Sequence, residues 1–164
     1  DLNEIRPSKE NVGLLVCLGA MNMQCYWNDP DGTARTLKNG AIYTSDLAYM
    51  EDGYVYYAGR KGDIINSGGI KIIPAEIEKA ALQSGIISEC ICTAEEDELL
   101  GQVPCLWVVM KEGSIFSEST IKVYLSGNLG PNYMPKIVRE IDKIPRTFNG
   151  KPDRKALKAI FSDN

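Results

Sequence analysis

Histidine is absent from the 164 residues, and the five cysteines contain no Cys-x-x-Cys pair. Without histidine or a second close cysteine pair, the chain has no zinc signature and no candidate metal ligands. The cysteines stand at 17, 25, 90, 92 and 105, an odd and scattered set that favours reduced thiols and a cytoplasmic setting. Cys90 and Cys92 flank one residue in an apolar stretch, so on a strand they share a face as buried thiols. No apolar run approaches the roughly 20 residues of a membrane span. The segment Asp1-Leu2-Asn3-Glu4 lacks both a basic and an apolar region, so no secretory leader is expected from it. Internal repeats and low-complexity segments are missing too. Ser67-Gly68-Gly69 has no lysine where a phosphate-binding P-loop needs one.

Charge is present but uneven. The net charge is −4, yet residues 136–164 hold 8 of the 18 Lys/Arg and 4 of the 22 Asp/Glu. That tail is net +4 against −8 for the rest. The acidic remainder argues against a nucleic-acid surface. The basic tail can attract a small polyanion such as a nucleotide, or can simply be a solvated helix face.

The pattern of elements changes near residue 60. Residues 12–58 read as short strands and turns: the apolar run Gly13 to Leu18, a loop or helix entry at Asn28 to Gly32, and a Lys38-Asn39-Gly40 turn. Strands at Ala41 to Thr44 and Tyr54 to Ala58 surround the hairpin signal Glu51-Asp52-Gly53. This portion looks too thin for its own core. After residue 60 the order is β-β-α-β-β-α-β-α. Strands flank Ser67-Gly68-Gly69, and Pro74 opens a helix with Ile77, Ala80 and Ala81 inward. Ile86 to Thr93 and Gln102 to Met110 are strands, the second apolar enough to be central. Ser117 to Leu125 is a helix with Ile121, Leu125 and Leu129 on one face. Ile137 to Ile141 is a strand, and Asp153 to Phe161 a helix with Leu157, Ile160 and Phe161 inward. The expected class is α+β, a small domain of mixed short sheets and three helices.

Five places carry chemistry. Asp46 follows Tyr43-Thr44-Ser45 at a predicted strand end; it can accept both hydroxyls of a ribose, or cap a turn. Arg60 ends the next strand; its planar guanidinium can bind ribose or phosphate oxygens, or pair with Asp63 or Glu51. Lys61-Gly62 separates the two portions, as a hinge or an ordinary turn. Ser67-Gly68-Gly69 allows close backbone approach by a ligand, or is a tight hairpin turn. Lys151 follows an Asn149-Gly150 turn, where a fixed backbone lets a long cation reach a phosphate; the alternative is a solvent lysine.

In order and spacing these segments resemble the adenylate-forming enzymes: acyl-CoA synthetases, carrier-protein-loading adenylation domains and luciferases. Tyr43-Thr44-Ser45-Asp46-Leu47 looks like the family's Y-x-T-G-D-type motif. Gly59-Arg60-Lys61-Gly62-Asp63, Ser67-Gly68-Gly69 and Pro74-Ala75-Glu76-Ile77-Glu78 look like its G-R-x-x-D…G…E-I-E segment. Pro145-Arg146-Thr147-Phe148-Asn149-Gly150-Lys151-Pro152-Asp153-Arg154 looks like its P-R-T-x-x-G-K-x-x-R ending. Tyr26-Trp27-Asn28-Asp29-Pro30 with Thr33 is similar to the stretch before the first motif. The resemblance covers about residues 12–161.

The resemblance implies ATP-driven activation of a carboxylic acid to an acyl-adenylate, then transfer to a thiol, coenzyme A or a phosphopantetheine arm on a carrier protein. Asp46 and Arg60 would hold the ATP ribose, and Lys151 would neutralise phosphate and carboxylate oxygens. Residues 1–60 would be the β-rich tail end of a large AMP-binding domain, and 61–164 a C-terminal lid swinging about 61–62. The swing would exchange Lys151 for the Ser67-Gly68-Gly69 loop, which would line the thiol's path, with Lys71 beside it. Magnesium follows from ATP use and would be held mainly by the large domain. The P-x4-G-K context of Lys151 resembles lysine-acylation sites that switch off some members. Ser45 replaces the usual glycine, and Gly62 the usual Asp or Lys of the hinge. The family's Ser/Thr/Gly-rich phosphate loop and acyl pocket do not occur here, so the chain is not expected to adenylate alone. A non-catalytic binding or regulatory module of the same fold is the alternative class.

Overall fold

A computed structural model describes Ser8 and residues 11–162. The expectation drawn from Asp1 to Glu4 lies outside the described residues. The chain divides into two compact units, residues 1–62 and 63–164. The division falls inside a single 3-10 turn, Lys61–Asp63.

The first unit is an antiparallel sheet of four strands plus one short helix. Its strands are β1 (Gly13–Leu18), β2 (Leu37–Lys38), β3 (Ala41–Glu51) and β4 (Tyr54–Arg60). β3 is the spine: β1 runs along one edge, while β2 and β4 share the other at opposite ends. Asp52 (φ 51°) and Gly53 (φ 81°) both take the left-handed region and close a two-residue hairpin loop. That sign of φ matches the right-handed twist of the flanking strands, which is why Asp-Gly suits the position. The helix α1 (Pro30–Thr36) starts where Asp29 accepts the Gly32 N–H at 2.7 Å. Among the described residues of this unit the buried apolar side chains are Ala41, Leu47 and Ala48. Tyr54, Val55, Tyr56 and Tyr57 on β4 are all exposed.

The second unit has the core. Its strands are β5 (Ile65–Ser67), β6 (Ile70–Ile72), β7 (Ile87–Asp97), β8 (Gly101–Met110) and β9 (Ile137–Glu140). Its helices are α2 (Pro74–Leu82), α3 (Glu118–Ser126) and α4 (Arg154–Ser162). β8 is central: β7 pairs with one edge over its whole length, β5 and β9 with the other. Alternation along β8 sends Leu106 and Val108 to one face, Cys105 and Trp107 to the other. The first face packs under Ile77, Ala80 and Ala81 of α2 and Ile121 and Leu125 of α3. The second packs under Leu157 of α4 and under Ile144, which lies between β9 and α4. The sheet is therefore covered on both sides, which explains the unbroken apolar run of β8. The buried Trp107 indole donates to Thr93 Oγ1 at 2.9 Å, so its one polar group is satisfied.

The order of elements in this unit is the expected one, and the class is α+β. Two local expectations change. Asp46 is not at a strand end; β3 continues through it to Glu51. Ile160 is 52% exposed, so α4 turns Leu157 inward and Ile160 out. The Phe161 side chain lies outside the described residues.

Candidate functional site

Asp46 and Arg60 face each other across β3 and β4 as register partners. Arg60 Nε donates to Asp46 Oδ1 at 3.0 Å. Arg60 thus takes Asp46 as its partner rather than Asp63 or Glu51. Two irregularities aim the pair. β1 slips register between Leu14 and Val16, and Thr44 fills the slip: its hydroxyl donates to Leu15 O at 2.7 Å and accepts the Asp46 N–H at 3.1 Å. The β3–β4 register slips between Leu47 and Ala48 of β3, where Leu47 pairs with Gly59, which is buried at φ 132°. A side chain there would be strained, so glycine immediately before Arg60 has a backbone reason. Both side chains stay open to water, 31% for Asp46 and 53% for Arg60. Their spare oxygen and nitrogens can take a polar ligand without loss of a core contact.

Lys151 lies in the second unit on a braced turn. Gly150 (φ 79°) donates its N–H to Thr147 O at 2.8 Å, and Thr147 donates its own to Lys151 O at 2.7 Å. Arg146 and Pro152 form an isolated bridge, and Asp153 N–H reaches Pro145 O at 2.8 Å. Arg146 adds a side-chain brace, with one guanidinium nitrogen on Gly150 O at 3.0 Å and another on Glu89 Oε2 at 2.6 Å. The Lys151 backbone is held on both sides while its side chain is exposed. Among the described residues its amine meets no acceptor or carboxylate.

Ser67-Gly68-Gly69 is the tip between β5 and β6. Gly68 (φ 56°) and Gly69 (φ 84°) make it a two-residue loop of the same left-handed kind as Asp52-Gly53. Gly68 N–H donates to Leu100 O at 2.9 Å, and a Cβ on Gly68 would stand 3.0 Å from Leu100 Cδ2. Glycine suits this left-handed conformation, and any larger residue would also press on the Leu100 side chain. Lys71 is exposed on β6 opposite Asn66. Lys61 and Gly62 are exposed in their 3-10 turn, and a Cβ on Gly62 would meet nothing within 4 Å. The local backbone therefore does not demand glycine at 62.

Arg154, the last residue of the Pro145–Arg154 motif, is the junction of the second unit. It donates to Cys92 O and to Glu78 Oε1, and pairs with Asp63 Oδ2 at 3.2 Å. Glu78 Oε1 also accepts the Cys92 N–H at 2.8 Å. The one signal available was the recurrence of Asp63, Glu78 and Arg154 at the ends of the three quoted motifs.

Residues 76–151 match the AMP-binding enzyme C-terminal domain. That segment of the chain is an AMP-binding enzyme C-terminal domain. A 2-succinylbenzoate–CoA ligase of Geobacillus sp. (strain WCH70) is 35% identical over 93% of this chain and 31% of its own length. A long-chain-fatty-acid–CoA ligase of Bacillus subtilis (strain 168) is 34% identical over 93% of the chain and 27% of its own length. The ATP-bound MatB of Rhodopseudomonas palustris superposes with a TM-score of 0.84 at 26% identity, over 95% of this chain and 31% of that one. The o-succinylbenzoate CoA synthetase of B. subtilis, solved with its acyl-adenylate, gives 0.83 at 28% identity over 94% of this chain and 33% of that one. The chain thus spans about a third of the length of the curated relatives it matches. The AMP-binding enzyme C-terminal domain, at residues 76–151, includes Lys151 and lies wholly in the second unit.

In this AMP-binding enzyme domain the cysteines are poor nucleophiles. Burial first, and the Glu78 carboxylate second, push the Cys90 thiol up to about 12. Burial first, then Glu95, does the same to Cys105, also to about 12. Cys92 is raised by burial, then by Glu78. Among the described residues no group of three or more His, Cys, Asp or Glu side chains is placed to hold a metal ion. No helix among them is long and apolar enough to cross a membrane.

Proposed function

We propose that this chain is the C-terminal part of an AMP-forming acid–thiol ligase, which activates a carboxylic acid with ATP and transfers the acyl group to coenzyme A. The observation that carries this reading is Lys151: an exposed amine without a partner among the described residues, on a backbone clamped from both sides. A fixed backbone presents the flexible Lys151 stem at one point of the surface, where its amine can meet an anionic charge that arrives from outside. Lys151 would neutralise the phosphate and carboxylate oxygens as the acyl-adenylate forms. Asp46 and Arg60, already paired in register, would take the ribose hydroxyls of ATP. Ser67, Gly68 and Gly69, with Lys71, would border the thiol's path, and the C-terminal unit would turn about Lys61 and Gly62 between the two half-reactions. Magnesium would enter with ATP, held by residues beyond this chain.

The two ligase relatives act on different acids by name, an aromatic succinyl acid and a long-chain fatty acid. Their shared word is CoA, which favours coenzyme A over a carrier protein as acceptor. The free cysteines at 17, 25, 90, 92 and 105 suit a reducing compartment such as the cytoplasm. The test is acid-dependent ATP–pyrophosphate exchange by the complete enzyme over a panel of carboxylic acids, with Lys151→Ala beside wild type. Exchange with some acid, lost by two or more orders of magnitude in the variant, supports the reading, on the scale of losing one preorganised transition-state donor. Unchanged exchange in the variant removes Lys151 from the chemistry. No exchange with any acid returns the chain to a binding or regulatory module.

A further inference from the structure

The Ser67-Gly68-Gly69 tip has little of its own to hold it. β5 meets β8 at a single registered pair, Ser67 with Gly101. Gln102 Oε1 stands in for a backbone acceptor by taking the Asn66 N–H at 3.1 Å. The β5–β6 ladder and the buried Ile65 and Ile72 anchor the base of the hairpin, and the tip itself is held by the Gly68 N–H on Leu100 O. Leu100 belongs to the short loop between β7 and β8, so the position of the tip depends on that loop.

Asp97 fixes the loop. Its Oδ1 accepts both the Leu99 N–H at 3.1 Å and the Leu100 N–H at 3.0 Å. Its Oδ2 receives the amine of Lys136. Lys136 is anchored at the backbone from both ends: its N–H donates to Pro104 O at 2.9 Å, and its carbonyl accepts Lys122 Nζ at 2.7 Å. The Lys136 bond first, then the two loop amides, holds the Asp97 carboxyl below its usual range. The Asp97 side chain keeps only 11% of its exposure, so the carboxylate is largely spent on these three donors.

We propose that Asp97 and Lys136 are positioning residues for the thiol-transfer half-reaction, setting the 67–69 tip through the Leu99-Leu100 loop. This rests on the ligase reading above, in which the tip borders the thiol's path. Neither residue touches the Lys151 turn in any recorded contact, so adenylation and thiol transfer should separate when the pair is broken.

The experiment uses the complete ligase and measures both half-reactions for wild type, Asp97→Asn, Asp97→Ala and Lys136→Gln. Expected is unchanged acid-dependent pyrophosphate exchange in all variants. Thioester formation falls about tenfold, mainly as a higher KM for coenzyme A, in Asp97→Ala, the scale of one or two lost charge-assisted hydrogen bonds. Asp97→Asn and Lys136→Gln fall less, because an amide oxygen or an unpaired carboxylate still accepts the loop N–H groups. Hydrogen exchange of the peptide spanning 65–72 speeds up in Asp97→Ala in the same order. Equal losses in both half-reactions, or no loss in thioester formation with the tip's exchange unchanged, would overturn the inference. A wild-type enzyme without pyrophosphate exchange would instead fail the ligase reading, and faster 65–72 exchange in Asp97→Ala would then confine the pair to holding the loop.

Discussion

Arg154 and Glu78 are 76 residues apart in sequence, and Arg154 Nη2 lies 3.1 Å from Glu78 Oε1. The same guanidinium pairs with Asp63, the first residue of the second unit, at 3.2 Å. One side chain therefore ties the start of α4 to α2, to β7 through Cys92 O, and to the residue next to Gly62. Lys151 is three residues upstream of this junction.

Removing Arg154 should destabilise the second unit. Its side chain is 30% exposed and that of Glu78 is 21%, so the pair is intermediate between a surface and a buried bridge. Fully buried pairs lose roughly 3–5 kcal/mol when one partner is deleted, exposed ones under about 1. Arg154→Ala should cost about 2 kcal/mol, since Glu78 keeps the Cys92 N–H. Arg154→Lys should recover only part, because one amine cannot serve Asp63, Glu78 and Cys92 O together. Urea unfolding followed by Trp107 fluorescence measures this, and equal midpoints for Ala, Lys and wild type would contradict it.

The sheet and helices of the second unit were legible because β8 is apolar on both faces and α2 and α3 carry clean helical stripes ending at Gly85 and Gly130-Pro131. Positive-φ turns were legible for the same reason everywhere: Asp52-Gly53, Gly68-Gly69 and Gly150 are residue types chosen for that backbone. Asp46 was misplaced at a strand end because Thr44-Ser45-Asp46 has turn chemistry. The Thr44 hydroxyl instead satisfies a register slip inside a continuous strand. Ile160 looks apolar in a helical period, yet it is half exposed while Leu157 is buried. The Asp97 cluster was not legible, and the Arg154 cluster only as the recurrence of Asp63, Glu78 and Arg154 at motif ends. Asp97 and Lys136 are 39 residues apart and Arg154 and Glu78 76, and they look like ordinary surface charges until β7, β8 and the helices are in place.

Alkaline pH should weaken the fold through the thiols. Cys90 and Cys105 sit at about 12 in the folded chain against an ordinary value of 9.0. Their stability contribution is complete below pH 9 and is lost between about 9 and 12, where the unfolded chain releases a proton that the folded chain keeps. The slope is at most about 1.4 kcal/mol per pH unit for each thiol. Unfolding midpoints from pH 8 to 10.5 should fall more steeply in wild type than in Cys90→Ala/Cys105→Ala. Parallel slopes would place the titration elsewhere. Iodoacetamide at pH 8 gives the companion readout: exposed Cys17 and Cys25 should label first, and Cys90, Cys92 and Cys105 only after unfolding.

Arg146 offers the sharpest separation of activity from stability. Its pair with Glu89 is exposed at 47% and 48%, a geometry that contributes under about 1 kcal/mol. Yet its other nitrogen braces Gly150 O, one residue before Lys151. Arg146→Ala should leave the unfolding midpoint nearly unchanged while letting the Lys151 turn wander. Misplacing a catalytic group by about 1 Å costs up to about 100-fold, so a partial loss of bracing should lower pyrophosphate exchange by about tenfold. Lys151→Ala should lower it by two or more orders of magnitude, also without loss of stability, because an exposed lysine contributes little to the fold. The double variant should match Lys151→Ala alone, since a brace has no effect once the group it positions is gone. An Arg146→Ala enzyme with full exchange, or a double variant clearly slower than Lys151→Ala, would show that Arg146 acts by a route other than the turn.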